Sequence, residues 1–358
     1  IAVPFFVFMA NVLERSGIAH SMFESMAIMG GRFRGSVGVQ TTFVAVLLAA
    51  MSGIMGGEIV MLGLIALPQM LRLGYDRKLD IGIICAAGAL ATLIPPSVVL
   101  IVYGLAAQVS ITKLFAASAV PGLILAGLYI TYILVRVRLK PEMAPIYDIP
   151  ETALPFFQRL KFLKGIILPA ILIGTVLGVI YSGVATVTEA AAIGAIGALV
   201  VAAARKELKW TMARDAMRQT VITVGSIIWL VIGAVSLIGI YNRIGGGDFL
   251  RGVLTTLDIG PIWVIVVMML IVMLLGTFLE WIAIIFITVP IFAPVVIDLG
   301  FDPVWFGVLF AMNIQMYYLS PPFGPACFFL KSVAPKDITL QEIFVAVLPF
   351  IALQAVGL

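Results

Sequence analysis

Two Pro–Pro pairs carry the first chemical signal, one in "ATLIPPSVV" (residues 91–99) and one in "LSPPF" (residues 319–323). Proline lacks a backbone N–H and clashes with the preceding turn, so a continuous helix does not run through either pair. The first lies in an apolar stretch with no acidic or basic residue from Ile81 to Thr112. Carbonyls freed there need a partner other than bulk water, and a bound cation is one. Sodium is a hard ion that favours oxygen, so carbonyls and hydroxyls suit it. Two glycine-containing segments supply a possible other half: "MSGIMGGE", with Ser52, Gly53, Gly56 and Gly57, and "LLGTFLEW", with Gly276 and Thr277. Glycine lets the chain reverse and lets carbonyls approach closely. A tip of this kind facing a break would enclose one ion.

Glu58 and Glu280 each stand beside a tip. An ionisable side chain at the centre of a membrane helix costs at least about 2.5 kcal/mol and is a functional candidate by default. Ion ligand, proton carrier and structural hydrogen-bond acceptor are the three readings. Glu189, after Thr186 and Thr188, reads as a helix-start cap. Lys331 reads as a side chain snorkelling to the membrane edge. Proline kinks also serve as ordinary packing devices in membrane helices; their recurrence at one offset beside two tips argues for more than that.

The elements that must position these groups are membrane helices. The chain is 62% hydrophobic and 11% charged, against roughly 45–50% and about 25% in soluble domains. Apolar stretches near the roughly 20 residues needed to span recur throughout. With net charge +4 and pI 9.1, the positive balance speaks to membrane topology rather than nucleic acid. Cys85 and Cys327 lie in apolar runs and His20 is the only histidine, which offers neither a disulfide framework nor a zinc cluster. No serine–base pair is evident, so an enzyme is not expected. The opening "IAVPFFVFMANVLERSG" lacks the charged start of a signal peptide and reads as an incomplete first segment.

The chain repeats itself. The offset that carries Pro95 to Pro321 also carries Pro68 to Pro294, Leu73 to Leu299, Gly74 to Gly300 and Asp76 to Asp302. The reading is of a first repeat over 1–140, a middle section over 141–219 and a second repeat over 220–358. Each repeat holds a helical hairpin (36–52 with 57–71; 260–297) and a broken span (79–109; 303–330). Arg72, Arg77 and Lys78 flank the first hairpin exit, while the second carries Asp298 and Asp302. Loops 136–164 and 204–218 are basic. Placing the basic loops in the cytoplasm turns the second repeat upside down relative to the first. Inverted repeats with paired broken helices mark secondary transporters with a midplane binding site. The expected fold is therefore an all-α polytopic membrane protein with inverted-topology repeats, two re-entrant hairpins and two broken transmembrane helices. The segments "SGIAHSMFESMAIMGG" and "DFLRGVLTTLDIG" are candidates for amphipathic arms along the interface.

"RSGIA", "GYDRKL", "LIPPS", "VYGLAAQVSI", "YSGVATVTEAAAIGA", "GTFLEW", "DPVWFGVLFAMNIQ" and "SPPFGPACFFLKSVAP" together resemble the large membrane subunit of tripartite ATP-independent periplasmic (TRAP) transporters. The resemblance covers essentially the whole chain. It implies a bacterial inner-membrane permease with an elevator mechanism, sodium coupling, a small membrane partner subunit and a periplasmic substrate-binding protein that delivers a small organic anion. It implies sodium as coupling ion and no other cofactor. Carried over by position, a first sodium site takes Ser52, Gly53, Ala91, Ile94 and Pro96, and a second takes Gly276, Thr277, Tyr317, Ser320 and Pro322. Glu58, Ser97, Glu280 and Asn313 are substrate or coupling candidates. The family usually has glycine at the place of Ala91 and commonly threonine at that of Ser320, and the first tip lacks the serine-rich run common elsewhere. Proton coupling through Glu58 or Glu280 is the alternative, and a channel a further one.

Overall fold

The computed structural model describes residues 2–29, 33–53, 56–146, 164–247, 249, 252 and 260–358. Most of the basic loop 136–164, the tip residues Ile54 and Met55, and most of "DFLRGVLTTLDIG" lie outside them.

The described residues form helices and connecting turns. The first is α1 (Ala2–Arg15), followed by α2 (Ile18–Met29). A bend of 63° separates α1 from Ile18–Met26, so the first candidate arm is a helix that turns away from the one before it. The first hairpin is α3 (Ser36–Ser52) and α4 (Gly57–Arg72). The first broken segment comprises α5 (Arg77–Ala89), a 3-10 turn at Leu90–Thr92, and α6 (Val98–Ala107). Next come α7 (Ile111–Leu139), α8 (Lys164–Tyr181), α9 (Val187–Ala204) and α10 (Trp210–Arg243). The second hairpin is α11 (Pro261–Gly276) and α12 (Trp281–Asp298). The second broken segment is α13 (Pro303–Leu319) and α14 (Pro325–Val333), and α15 (Leu340–Gly357) ends the chain. Among the described residues five helices are long and apolar enough to cross a membrane, or six if α1 and α2 count as one bent span.

Local chemistry explains the boundaries. Asp76 and Asp302 both cap the helix that follows, accepting from the backbone N–H of Leu79 at 3.0 Å and of Val304 at 2.7 Å. Just upstream, α4 and α12 end alike. Tyr75 N donates to the Met70 carbonyl and Phe301 N to the Val296 carbonyl, 3.1 and 3.0 Å, closing the last turn of each helix. Glu189 accepts from Thr186 N at 2.8 Å while Thr186 Oγ1 accepts from Glu189 N, a capping box as the sequence suggested.

Two sets of neighbours organise the packing, joined where α10 packs on α12, α1 on α3, and α2 on both α3 and α8. In one, α1 lies against α9 and α10, and α8 against α9. The other holds the hairpins and broken segments, with crossed neighbours: α4 packs on α14, and α12 on α6. Likewise α5 packs on α15 while α13 packs on α7. Exchanging α3–α7 for α11–α15 leaves these pairings unchanged. Outside the membrane-facing surfaces, Arg77 at the start of α5 pairs with Asp337 in the loop before α15 and holds that carboxyl below the usual range.

Candidate functional site

The first tip meets the first break directly. Gly53 ends α3 in the left-handed region, φ 59°. A Cβ built there would stand 2.2 Å from the Pro96 carbonyl oxygen, so only glycine permits the approach. The Gly53 carbonyl accepts from Val98 N at 2.9 Å, which ties the tip to the first turn of α6. Across the break, Ser97 Oγ donates to the Thr92 carbonyl at 2.6 Å and accepts from Leu100 N at 3.5 Å. Ala91, Ile94 and Ser97 are all buried, and Ile94 N donates to the Leu90 carbonyl at 2.9 Å. Ser52 Oγ is buried without a hydrogen-bond partner among the described residues. Four of the five residues expected at a first ion site therefore sit on a tip or a break that touch. The fifth, Ala91, lies one turn back in the 3-10 segment.

The second tip approaches the second break by another route. A Cβ at Gly276 would fall 2.2 Å from the Tyr317 ring, in the last turn of α13. Tyr317 is buried and its hydroxyl has no partner among the described residues. Ser320 Oγ donates to the Met316 carbonyl at 2.6 Å and Thr277 Oγ1 to the Leu274 carbonyl at 2.7 Å. Each hydroxyl thus directs its proton into its own helix and leaves oxygen lone pairs for a cation. The two breaks differ in one respect: the first is buried, whereas Pro321 and Pro322 are exposed. Both Pro–Pro bonds are cis.

The remaining candidates disperse. Asn313 lies two turns before the second break and donates to the Met269 carbonyl of α11 at 2.6 Å, pinning α13 to the second hairpin. Glu280 stands at the N-cap of α12 without a side-chain capping bond. Lys331 donates to the Ile338 carbonyl at 2.5 Å, so its head reaches out of α14 to the following loop. Glu58 is 2% exposed, and neither carboxylate oxygen has a hydrogen-bond partner among the described residues. Beside it lies Glu14, at the end of α1: a Cβ at Gly57 would stand 3.6 Å from Glu14 Oε2. The sequence reading passed over Glu14, because a charge next to Arg15 at the end of an apolar run looks like a simple flank. No group of three or more His, Cys, Asp and Glu side chains able to hold a metal occurs among the described residues. Any cation would rest on carbonyls, hydroxyls and at most two carboxylates.

Residues 1–358 match the family described as "Tripartite ATP-independent periplasmic transporter, DctM component". Among curated relatives, the chain is 30% identical to the C4-dicarboxylate TRAP transporter large permease protein DctM of Pseudomonas aeruginosa, covering 100% of this chain and 82% of that protein. It is 28% identical to the sialic acid TRAP transporter large permease protein SiaM of Vibrio cholerae, covering 98% and 81%. Among solved structures, the YdaH transporter of Alcanivorax borkumensis, described as having an unusual topology, superposes with a TM-score of 0.70 at 16% identity, covering 99% of this chain and 82% of that one.

Proposed function

The chain belongs to the DctM component family of tripartite ATP-independent periplasmic transporters, and from this premise we propose that it imports a small organic acid by sodium-coupled, elevator-type alternating access. As a large permease subunit it is a multi-pass inner-membrane protein and not an enzyme. Its partners in this reading are a small membrane subunit and a periplasmic protein that hands over substrate. Relatives named for C4-dicarboxylate and sialic acid support an organic acid as cargo.

The observation that carries the proposal is the contact between Gly53 and the Pro96 carbonyl. It brings oxygen-bearing backbone from a tip and a broken helix to one buried place. Irregular backbone survives at membrane depth only when buried in protein or lining a cavity, and discontinuous helices coordinate coupling ions in transporters. The Gly276–Tyr317 contact is the counterpart in the second repeat. The exchange symmetry of the packing supports the division into repeats 1–140 and 220–358 about a middle section 141–219. In the elevator reading, the hairpins and broken segments slide as a body against α1 and α8–α10.

Reconstitution with the partner subunit and substrate-loaded binding protein provides the test. Labelled C4-dicarboxylate and sialic acid are offered to proteoliposomes under an inward sodium gradient. Uphill accumulation that collapses when sodium is equal on both sides is the expected result. Accumulation driven by a pH gradient and indifferent to sodium would move coupling to Glu58 or Glu280. Passive equilibration alone would favour a channel.

A further inference from the structure

We infer that Glu14, Ser52 and Glu58 form an additional binding site for one sodium ion, at the junction of α1 with the first hairpin. The inference rests on the sodium-coupled reading above and adds a site made of side chains to the two made mainly of backbone.

A cavity of about 20 Å³ lies at this junction, lined by Glu14, Ser52 and Glu58 together with apolar walls that include Leu13, Leu48 and Met61. That is room for about one water-sized atom. Glu58 closes its inner end, 2% exposed, and Glu14 stands exposed at its mouth. Both oxygens of Glu58 and the hydroxyl of Ser52 lack hydrogen-bond partners among the described residues. An ionised carboxylate buried without a partner is strongly disfavoured. Among the described residues no Lys, Arg or His lines the cavity; Arg15, next to Glu14 in sequence, is exposed. Among the described residues the lining therefore offers oxygen ligands and negative charge, with Arg15 beside Glu14 but outside the cavity.

Two simpler accounts fall short. Glu58 lies in the first turn of α4 and Glu14 beside Gly57 at the same helix start, so both carboxylates complement its dipole, yet neither oxygen of Glu58 nor the Ser52 hydroxyl gains a hydrogen-bond partner among the described residues. A proton on Glu58 would neutralise it, yet leaves unused the space one water wide and the unpartnered Ser52 hydroxyl that lines it. A monovalent cation uses all three groups. The resemblance places Ser52 at the first ion site, but Gly53 abuts the Pro96 carbonyl while Ser52 lines this cavity, so its hydroxyl is assigned here in place of the first site.

The placement has a mechanical consequence. Glu14 belongs to α1, which packs on α9 and α10, while Ser52 and Glu58 belong to the hairpin. α1 already packs on α3, so an ion held between them adds an ion-dependent tie to that contact, and its loss weakens the hold on the hairpin.

The test uses the purified complex and sodium chloride alone, so it needs no knowledge of the substrate. Thermal melting is followed while sodium replaces choline at constant ionic strength, at pH 6 and pH 8, for wild type, Glu14→Gln and Glu58→Gln. Each variant should raise the sodium midpoint by at least the roughly 10–100-fold that loss of an outer-shell partner costs a metal site, and lower the Hill coefficient. Wild-type sodium midpoints in both variants would overturn the site. So would a sodium response that is unchanged while the pH dependence of melting disappears in Glu58→Gln, since that identifies a proton. If wild type ignores sodium altogether, the coupling ion itself is misassigned, a failure that needs no variant to detect. Should Glu58→Gln not fold, Glu14→Gln at the exposed mouth decides the matter. A merely helix-terminal Glu14 would lower melting in choline but leave the sodium midpoint in place.

Discussion

Adding a single methyl group at Gly53 would drive a carbon to 2.2 Å from the Pro96 carbonyl oxygen and force a side chain into φ 59°. The backbone term alone is about 1–2 kcal/mol, and relief of the overlap requires tip and break to part. Gly53→Ala should therefore weaken sodium-dependent uptake by tenfold or more, since about 1.4 kcal/mol is a factor of ten. Far-ultraviolet circular dichroism and expression should stay near wild type, because α3 and α4 are held elsewhere. Sodium titration of uptake beside a melting curve makes the comparison; a normal sodium midpoint in Gly53→Ala would remove the tip from the ion site. At this scale the sequence was informative where a residue type has one strong use. Proline and glycine announced the breaks and tips. It was uninformative about Asn313, whose amide reaches the Met269 carbonyl 44 positions away, and about Glu14, whose meeting with Gly57 depends on how α1 crosses the hairpin. No local spacing rule encodes either contact.

Between residues and the molecule stand the helix ends, and these are where the two halves of the chain agree most closely. Asp76 and Asp302 occupy matching positions, and each caps the first helix of a broken segment. Replacing an N-cap aspartate by alanine typically costs about 0.5–2 kcal/mol. Asp76→Ala and Asp302→Ala should each lower the melting temperature, and the double variant should lower it by nearly the sum, since distant sites add. An effect confined to one variant would show that the shared sequence does unequal structural work in the two repeats. Helix limits were legible because caps, prolines and glycines are local signals; the hairpins and broken segments lie within a few residues of the expected spans. The crossed packing of α4 on α14 and α12 on α6 was not legible. A uniformly apolar helix such as α11 carries no strong stripe to mark which face meets which partner.

For the whole molecule the open physical question is which end of each repeat faces which side of the membrane. Charge supplies the argument: Arg72, Arg77 and Lys78 gather around the turn between α4 and α5, whereas Asp298 and Asp302 flank the matching turn between α12 and α13. Basic residues accumulate in cytoplasmic loops, so two segments of similar sequence should point in opposite directions. Cysteine labelling can decide this on a quiet background, because Cys85 and Cys327 are fully buried. Lys78 and Ile297 are exposed at the two turns, which suits them to single substitution. In intact cells a membrane-impermeant maleimide should modify Ile297→Cys at once and spare Lys78→Cys until the membrane is permeabilised. Labelling of both from the same side would mean that the repeats run parallel. The two tips would then enter from one face, and a pair of ion sites related by an axis in the membrane plane would have no geometric basis. Opposite accessibility, together with sodium-dependent protection of either position, would instead join the charge pattern, the crossed packing and the two tip–break contacts into one transport cycle.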